Sequence, residues 1–172
     1  MGMDVWGKKP TDKVGKYFRR NVWGWHPLWD YVQNAHPEIA GLVRDGHSNS
    51  GYGLKADKSI ELADLLRADL ESGVVDDYIK ERNQRLADLP RPDCDYCGAT
   101  GIRTDAVGVE RKMPEFVLEP AQAILLGRSA GWCNGCQGEG KTSAWETSYY
   151  LDRTDIEEFS QFLAKCGGFK IC

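Results

Sequence analysis

Apolar residues recur at helical spacing in two parts of the chain. Between residues 57 and 89 this period predicts two amphipathic helices, which Gly73 separates and Pro90 ends. Near the C-terminus, Ile156, Phe159 and Leu163 share one face of a further predicted helix. Thr154-x-x-Glu157 would form its capping box. We therefore expect a helical hairpin and a C-terminal helix.

Shorter elements are predicted before and between these helices. Apolar and polar residues alternate over 145–152, which predicts a half-buried strand, and strands are also expected over 102–109 and 112–118. Short helices are expected from Pro27 over 28–35, over 38–43 and over 121–126, with an irregular loop over 44–53. The predicted fold class is α+β, a small helical domain with an inserted four-cysteine zinc-knuckle module of short β-hairpins.

The elements group into four segments that are expected to form one compact domain. They are an aromatic and basic N-terminal segment with a binding loop (1–54), the helical hairpin (55–93), the zinc-binding module (94–150) and the C-terminal helix (151–172). A length of 172 residues with 41% hydrophobic residues is enough for a sizeable core and excludes a disordered chain.

Charge and hydropathy narrow the class of partner and the compartment. The formal net charge of −4 argues against long nucleic acid as a partner. No apolar run approaches the ~20 residues that a membrane helix needs, so no membrane partner is expected. The first ten residues lack the apolar segment of a secretory signal, which predicts a cytoplasmic protein.

Four of the six cysteines form two Cys-x-x-Cys pairs. Each pair can direct two thiolates at one point, and four thiolates make the closed tetrahedral site of a structural zinc ion. The predicted ligands of one structural Zn²⁺ are Cys94, Cys97, Cys133 and Cys136. A rubredoxin-like iron centre and a dithiol oxidoreductase are the alternatives. Cys166 is expected in the core, because it lies on the apolar face of the last helix.

The second cysteine pair and its glycines resemble a known repeat. Cys133-x-x-Cys136-x-Gly138-x-Gly140 is similar to the Cys-x-x-Cys-x-Gly-x-Gly repeat of DnaJ-type cysteine-rich zinc domains. The first pair departs from this repeat, because Ala99 replaces the first glycine. That family has four repeats and two zinc sites, so two repeats imply one zinc site here. His26-Pro27 and His36-Pro37 are not followed by aspartate, so the J-domain motif is lacking.

A second candidate site lies in the cysteine-free N-terminal segment. Its aromatic rings can stack on a ligand, and its charged and polar groups can bind phosphate or donate hydrogen bonds. The candidate ligand-binding residues are Arg19, Arg20, Trp23, Trp25, His26, His47 and Asn49. The same residues are also compatible with a core edge and a solvated loop. The three histidines can also bind a second metal ion with Asp30 or Asp45, although their spacing is not diagnostic.

We predict a zinc-stabilised, non-catalytic binding protein that captures a protein or small ligand through its Trp/Arg/His-rich N-terminal surface. A compact binder without catalytic motifs is compatible with a sequestering or inhibitory protein of a virus or mobile element. The alternatives are a binder of nucleotides or single-stranded nucleic acid, and a small hydrolase that uses a histidine as general base.

Overall fold

The computed structural model describes residues 2–125 and 131–172 and divides the chain into two compact units. The first unit comprises the residues up to Ala87 together with Ser148–Cys172. The second unit, Asp88–Thr147, is inserted in the sequence of the first. Helices and a small antiparallel sheet occur together, so the predicted α+β class is confirmed.

The helices follow the predicted order more closely than the strands do. The named helices are α1 Val22–Ala35, α2 Pro37–Ala40, α3 Ala56–Ser72, α4 Val74–Ala87, α5 Ala106–Glu110, α6 Pro120–Leu125 and α7 Arg153–Lys165. The predicted helical hairpin is confirmed as α3 and α4, and Gly73 joins them in the left-handed conformation at φ 84°. Residues 44–53 form the irregular loop that their composition predicts. Of the helix predicted over 121–126, residue 126 lies outside the described residues.

A three-stranded sheet in the first unit was not expected from the sequence. Its strands are β1 (Gly2–Gly7), β2 (Tyr17–Asn21) and β3 (Phe169–Ile171), and β1 lies between the other two in antiparallel pairing. A 3₁₀ helix, Val14–Lys16, leads into β2. Val5 pairs with Phe18 on one side and with Ile171 on the other. The sheet therefore joins the two ends of the described chain.

Helix α1 begins five residues earlier than predicted. Asn21 caps it by accepting a hydrogen bond from the Gly24 N–H at 2.9 Å, and Pro27 lies inside the helix. Proline cannot donate to the carbonyl four residues earlier, which here belongs to Trp23. The Tyr150 N–H donates to that carbonyl instead, at 3.2 Å. Placing the helix start at Pro27 was wrong because this replacement partner is distant in sequence.

The core of the first unit is formed mainly by aromatic and branched side chains from α1, α3, α7 and β3. The largest fully buried side chains are Trp25, Trp29, Tyr31, Phe159, Phe162, Phe169, Leu28, Leu54, Leu62, Leu66, Ile156 and Leu163. Cys166 is also fully buried, which confirms it as a core residue. Packing of α7 against α3 and the sheet thus holds the C-terminal segment to the N-terminal residues.

The cap of α7 differs from the predicted Thr154–Glu157 box. Asp152 is the residue before the helix, and its N–H donates to Asp155 Oδ2 at 2.9 Å. Glu157 instead accepts a hydrogen bond from Arg153 Nε at 2.8 Å. The box is therefore shifted by two residues toward the N-terminus, with aspartates in both positions.

The strands predicted around the cysteine pairs are wrong. Residues 106–110 form α5, because Asp105 Oδ1 accepts from the Gly108 N–H at 3.0 Å and starts a helix. Met113–Phe116 and Trp145–Ser148 are 3₁₀ helices, so residues 112–118 and 145–152 are not strands either. In the described part of the second unit, strand pairing is limited to the single bridges Asp93–Lys141 and Ile102–Trp132. The expected β-hairpins of the zinc module are not formed there.

Candidate functional site

The four cysteines of the two pairs lie together in the second unit. Their Sγ atoms are all within 4.8 Å of one another, and all four side chains are buried. The Cys94–Cys133 and Cys97–Cys136 sulfur distances are both 3.7 Å. A disulfide needs ~2.05 Å, whereas tetrahedral ligation with metal–sulfur bonds of ~2.3 Å places two sulfurs ~3.8 Å apart. The cluster therefore matches a four-thiolate metal site.

Reciprocal backbone hydrogen bonds hold the two cysteine turns against each other. The Cys94 N–H donates to the Gly140 carbonyl at 2.9 Å, and the Cys133 N–H donates to the Gly101 carbonyl at 2.8 Å. Gly101 and Gly140 occupy equivalent places, seven residues after the first cysteine of each pair. The site thus has an approximate two-fold arrangement in which each repeat closes the other.

Both repeats pass through two consecutive residues with positive φ directly after the second cysteine. In the first repeat these are Gly98 and Ala99, at 55° and 65°; in the second they are Gln137 and Gly138, at 53° and 87°. Each repeat therefore has one glycine in this left-handed pair, but at opposite positions. The departure of the first repeat from the DnaJ-type pattern is a shift of the glycine within the same backbone shape.

Backbone N–H groups favour the thiolate form at one ligand. Burial alone raises the pKa of the Cys136 thiol, but hydrogen bonds from Gly140, Cys97 and Gly138 outweigh it and lower the pKa to about 7. The Gly140 N–H lies 3.2 Å from Cys136 Sγ. Burial raises the pKa of the Cys94 thiol to about 11. Since a metal binds thiolates, loading this site must release protons.

Two of the predicted ligand-binding residues have their polar groups bound to other residues of the protein. Trp25 is fully buried and donates from Nε1 to the Gly46 carbonyl at 2.8 Å, so it presents no face to a ligand and this prediction is wrong. Arg20 Nε and Nη2 each lie 2.6 Å from a carboxylate oxygen, of Asp155 and Glu158 respectively. Both residues support the fold, because Arg20 joins β2 to α7 and Trp25 holds the 44–53 loop.

Arg19 and Asn49 also have partners near β1. Arg19 Nε lies 3.5 Å from Asp4 Oδ1, and its side chain is 60% exposed. Asn49 donates from Nδ2 to the Gly2 carbonyl at 3.1 Å. Neither residue is brought to the predicted histidines by these contacts, so the seven predicted ligand residues do not form a single site.

Two of the three histidines are in contact. His26 Nδ1 and His47 Nδ1 are 2.8 Å apart. His26 also lies beside Tyr149, at a ring-centroid distance of 6.0 Å, and Tyr149 packs edge-on against Trp23 at 4.8 Å. We call Trp23, His26, His47 and Tyr149 the aromatic–histidine surface. Trp23 is 40% exposed, and the other three are partly buried.

Of the two groups beside His47, Asp30 was named from the sequence as a possible metal ligand, and Gln33 was missed. Gln33 Oε1 lies 3.0 Å and Asp30 Oδ1 3.3 Å from His47 Nε2. A signal was present, because His26, Asp30 and Gln33 recur at helical spacing on α1. Tyr149 had no such signal, since its proximity depends on the return of the chain after the inserted unit.

The third histidine belongs to a separate network. His36 Nε2 and Tyr31 Oη approach Asp69 Oδ2 at 2.7 and 2.6 Å. Burial and the hydrogen bond to Asp69 raise the pKa of the Tyr31 hydroxyl. This network joins α1 to α3, so a metal site built from all three histidines is not formed.

Comparisons with family models, with curated proteins and with solved structures gave no match to this chain. Among the described residues, no helix is both long enough and apolar enough to cross a membrane. The similarity to DnaJ-type repeats therefore stays an expectation from two short motifs. Function has to be argued from the geometry of the two clusters.

Proposed function

We propose that this chain is a zinc-stabilised, non-catalytic binding protein, with one structural Zn²⁺ in the second unit and a capture site on the first. The observation that carries the zinc site is the clustering of four buried sulfurs within 4.8 Å. Four thiolates fill the coordination shell of zinc, and a closed shell is typical of a structural ion rather than a catalytic one.

The aromatic–histidine surface supports the capture of a protein or small ligand. Trp23 and Tyr149 offer flat apolar faces, and the two histidines add directional hydrogen bonds. Aromatic side chains with a few polar groups are the usual lining of binding sites. Arg20 is held by two carboxylates and Arg19 is paired with Asp4, which favours an uncharged ligand over a phosphate.

A hydrolase with a serine nucleophile and His47 as base is disfavoured by the hydrogen bonding of the nearby hydroxyl groups. A hydrolase with a histidine base needs a nucleophile or water within reach of that base. The Ser48 hydroxyl is 2.5 Å from Asp45 Oδ2 and 2.6 Å from the Ser50 hydroxyl. These serines bond within the loop rather than to His47.

Native mass spectrometry of the purified full chain tests the zinc proposal. We expect one zinc ion per chain, lost in Cys133→Ser and retained in Cys172→Ser, a matched control outside the cluster. A metal-free wild type, or zinc retained in Cys133→Ser, would contradict it. Iron with the absorption of a ferric thiolate centre would favour the rubredoxin-like alternative.

The capture proposal is tested separately on zinc-loaded protein. We would screen uncharged aromatic compounds and nucleotides by ¹H–¹⁵N NMR and map the shifted resonances. Binding should shift the aromatic–histidine surface and weaken in Trp23→Ala, while Trp145→Ala, which alters an exposed ring in the other unit, should leave it unchanged. Equal weakening in both variants, or shifts confined elsewhere, would overturn the proposal.

A further inference from the structure

The contact between His26 and His47 brings two imidazole nitrogens within reach of a single ion. His26 lies on α1 and His47 on the 44–53 loop, and the two Nδ1 atoms face each other at 2.8 Å. We propose that these two histidines form a second metal site, for a divalent transition-metal ion that favours imidazole. This inference goes beyond the capture of a ligand and does not depend on it.

The partners of His47 determine which of its nitrogens is available. Nε2 lies between two oxygen atoms, Gln33 Oε1 at 3.0 Å and Asp30 Oδ1 at 3.3 Å. A carboxylate oxygen only accepts hydrogen bonds, so Nε2 must carry the proton. The Nδ1 of neutral His47 then has a lone pair directed at His26. Metal-binding histidines usually have this arrangement, with the second nitrogen donating to a carboxylate or carbonyl oxygen.

His26 can supply the second nitrogen. Without a metal, its Nδ1 proton bridges to His47 Nδ1; with a metal, that proton moves through solvent to Nε2, so the ring stays neutral. Burial and the neighbouring His47 lower the pKa of His26, which keeps the ring unprotonated near neutral pH. Neutral imidazole is the form that binds metal ions.

The observed distance is close to what an ion needs. With metal–nitrogen bonds of ~2.1 Å, two adjacent ligands at a right angle are ~3.0 Å apart. The Nδ1–Nδ1 distance would therefore have to increase by only ~0.2 Å, and both rings would have to turn so that their lone pairs point at the ion instead of at each other. The right angle between the ligands suits an ion of square-planar or octahedral preference, such as Ni²⁺. Asp30 adds negative charge beside His47, and the His47 side chain is 34% exposed, so water can complete the coordination.

Titration with Ni²⁺ tests the site in tag-free, zinc-loaded full-length protein. Calorimetry should detect one Ni²⁺ per chain, with the zinc retained by mass spectrometry. In side-chain ¹H–¹⁵N spectra, paramagnetic Ni²⁺ should broaden the ring signals of His26 and His47 and spare those of His36. This measurement requires no substitution in the protein. No saturable binding, broadening of all three histidines alike, or a thiolate-to-nickel absorption band would overturn the proposal.

Substitutions then distinguish the residues that bind the metal ion from those that orient them. His47→Gln should abolish Ni²⁺ binding, and Gln33→Ala should weaken it by about 10- to 100-fold, the usual effect of removing a group that orients a ligand. His36→Gln is the matched control, because it removes a histidine outside the pair, and it should leave affinity unchanged. Unchanged affinity in His47→Gln would refute the assignment.

Discussion

Substitutions at the left-handed pairs of the cysteine repeats give a graded test of how the metal cluster is held. Ala99 adopts φ 65° and Gly138 occupies the equivalent place at 87°. A left-handed conformation costs a residue with a Cβ ~1–2 kcal/mol, whereas glycine adopts it freely but gains ~0.4–1 kcal/mol of freedom when unfolded. Ala99→Gly should therefore stabilise the second unit by about 0.5–1 kcal/mol.

Gly138→Ala should have the opposite and larger effect. Its Cβ would lie 1.8 Å from Trp132 Cε3, so the indole must move in addition to the backbone strain. Overpacking of this kind costs ~1–3 kcal/mol and the left-handed conformation adds ~1–2 kcal/mol, while the loss of glycine's freedom in the unfolded chain offsets ~0.4–1 kcal/mol of this cost. The total loss is then about 2–4 kcal/mol. Gly98→Ala is the control, because a Cβ there meets nothing within 4 Å and only the positive φ is penalised.

Thermal unfolding of the zinc-loaded variants, followed by zinc release to a chromogenic chelator, measures this series. For a domain as small as the second unit, residues 88–147, a change of ~1 kcal/mol in the free energy of unfolding corresponds to a Tm shift of ~4–8 °C. The expected order of Tm is Ala99→Gly, wild type, Gly98→Ala and Gly138→Ala, from highest to lowest. If Ala99→Gly lowered Tm, or if Gly98→Ala cost as much as Gly138→Ala, the conformational argument would be refuted.

Three further predictions concern the zinc ion, pH and the loop. Chelation of zinc should speed hydrogen exchange across residues 88–147 while protection in the first unit persists, because metal binding there is folding energy; unchanged exchange would contradict a structural ion. The pKa of His26 is lowered by burial and by His47, so the unfolded chain binds more protons and stability should fall as pH drops through ~6.5, the unfolded value. In urea titrations, His26→Gln should flatten that pH dependence, and an unaltered slope would exclude His26 as its source. Gly46→Ala places a Cβ 1.9 Å from Trp29 Nε1 and should cost about 1–3 kcal/mol, whereas a cost near zero would show that the loop shifts without resistance.

The parts of the structure that were predicted correctly are those that depend on residues close together in the sequence. The α3–α4 hairpin has a regular apolar period and a glycine that supplies the left-handed link, so the sequence contains everything needed to place it. The cysteine cluster was predicted for a similar reason, because each Cys-x-x-Cys turn is a local structure and two of them satisfy one ion.

Contacts between distant residues explain the errors. Strand β3 has only three residues and pairs with β1 at the other end of the described chain, so neither strand carries a recognisable pattern by itself. Helix α1 passes through Pro27 because the Tyr150 N–H satisfies the Trp23 carbonyl. Trp25 was assigned to a binding surface because composition alone does not distinguish a stacking ring from a core ring.

The insertion of one unit in the sequence of the other has a consequence for biosynthesis. A ribosome releases residues 88–147 before Phe159, Phe162 and Phe169, which complete the core of the first unit. The metal-binding unit can therefore acquire its ion and fold while the N-terminal half still exposes Trp25 and Trp29. We therefore expect the second unit to mature before the first, although the first unit begins earlier along the chain. Until then, the exposed N-terminal aromatic residues are the segment that would need protection by a chaperone.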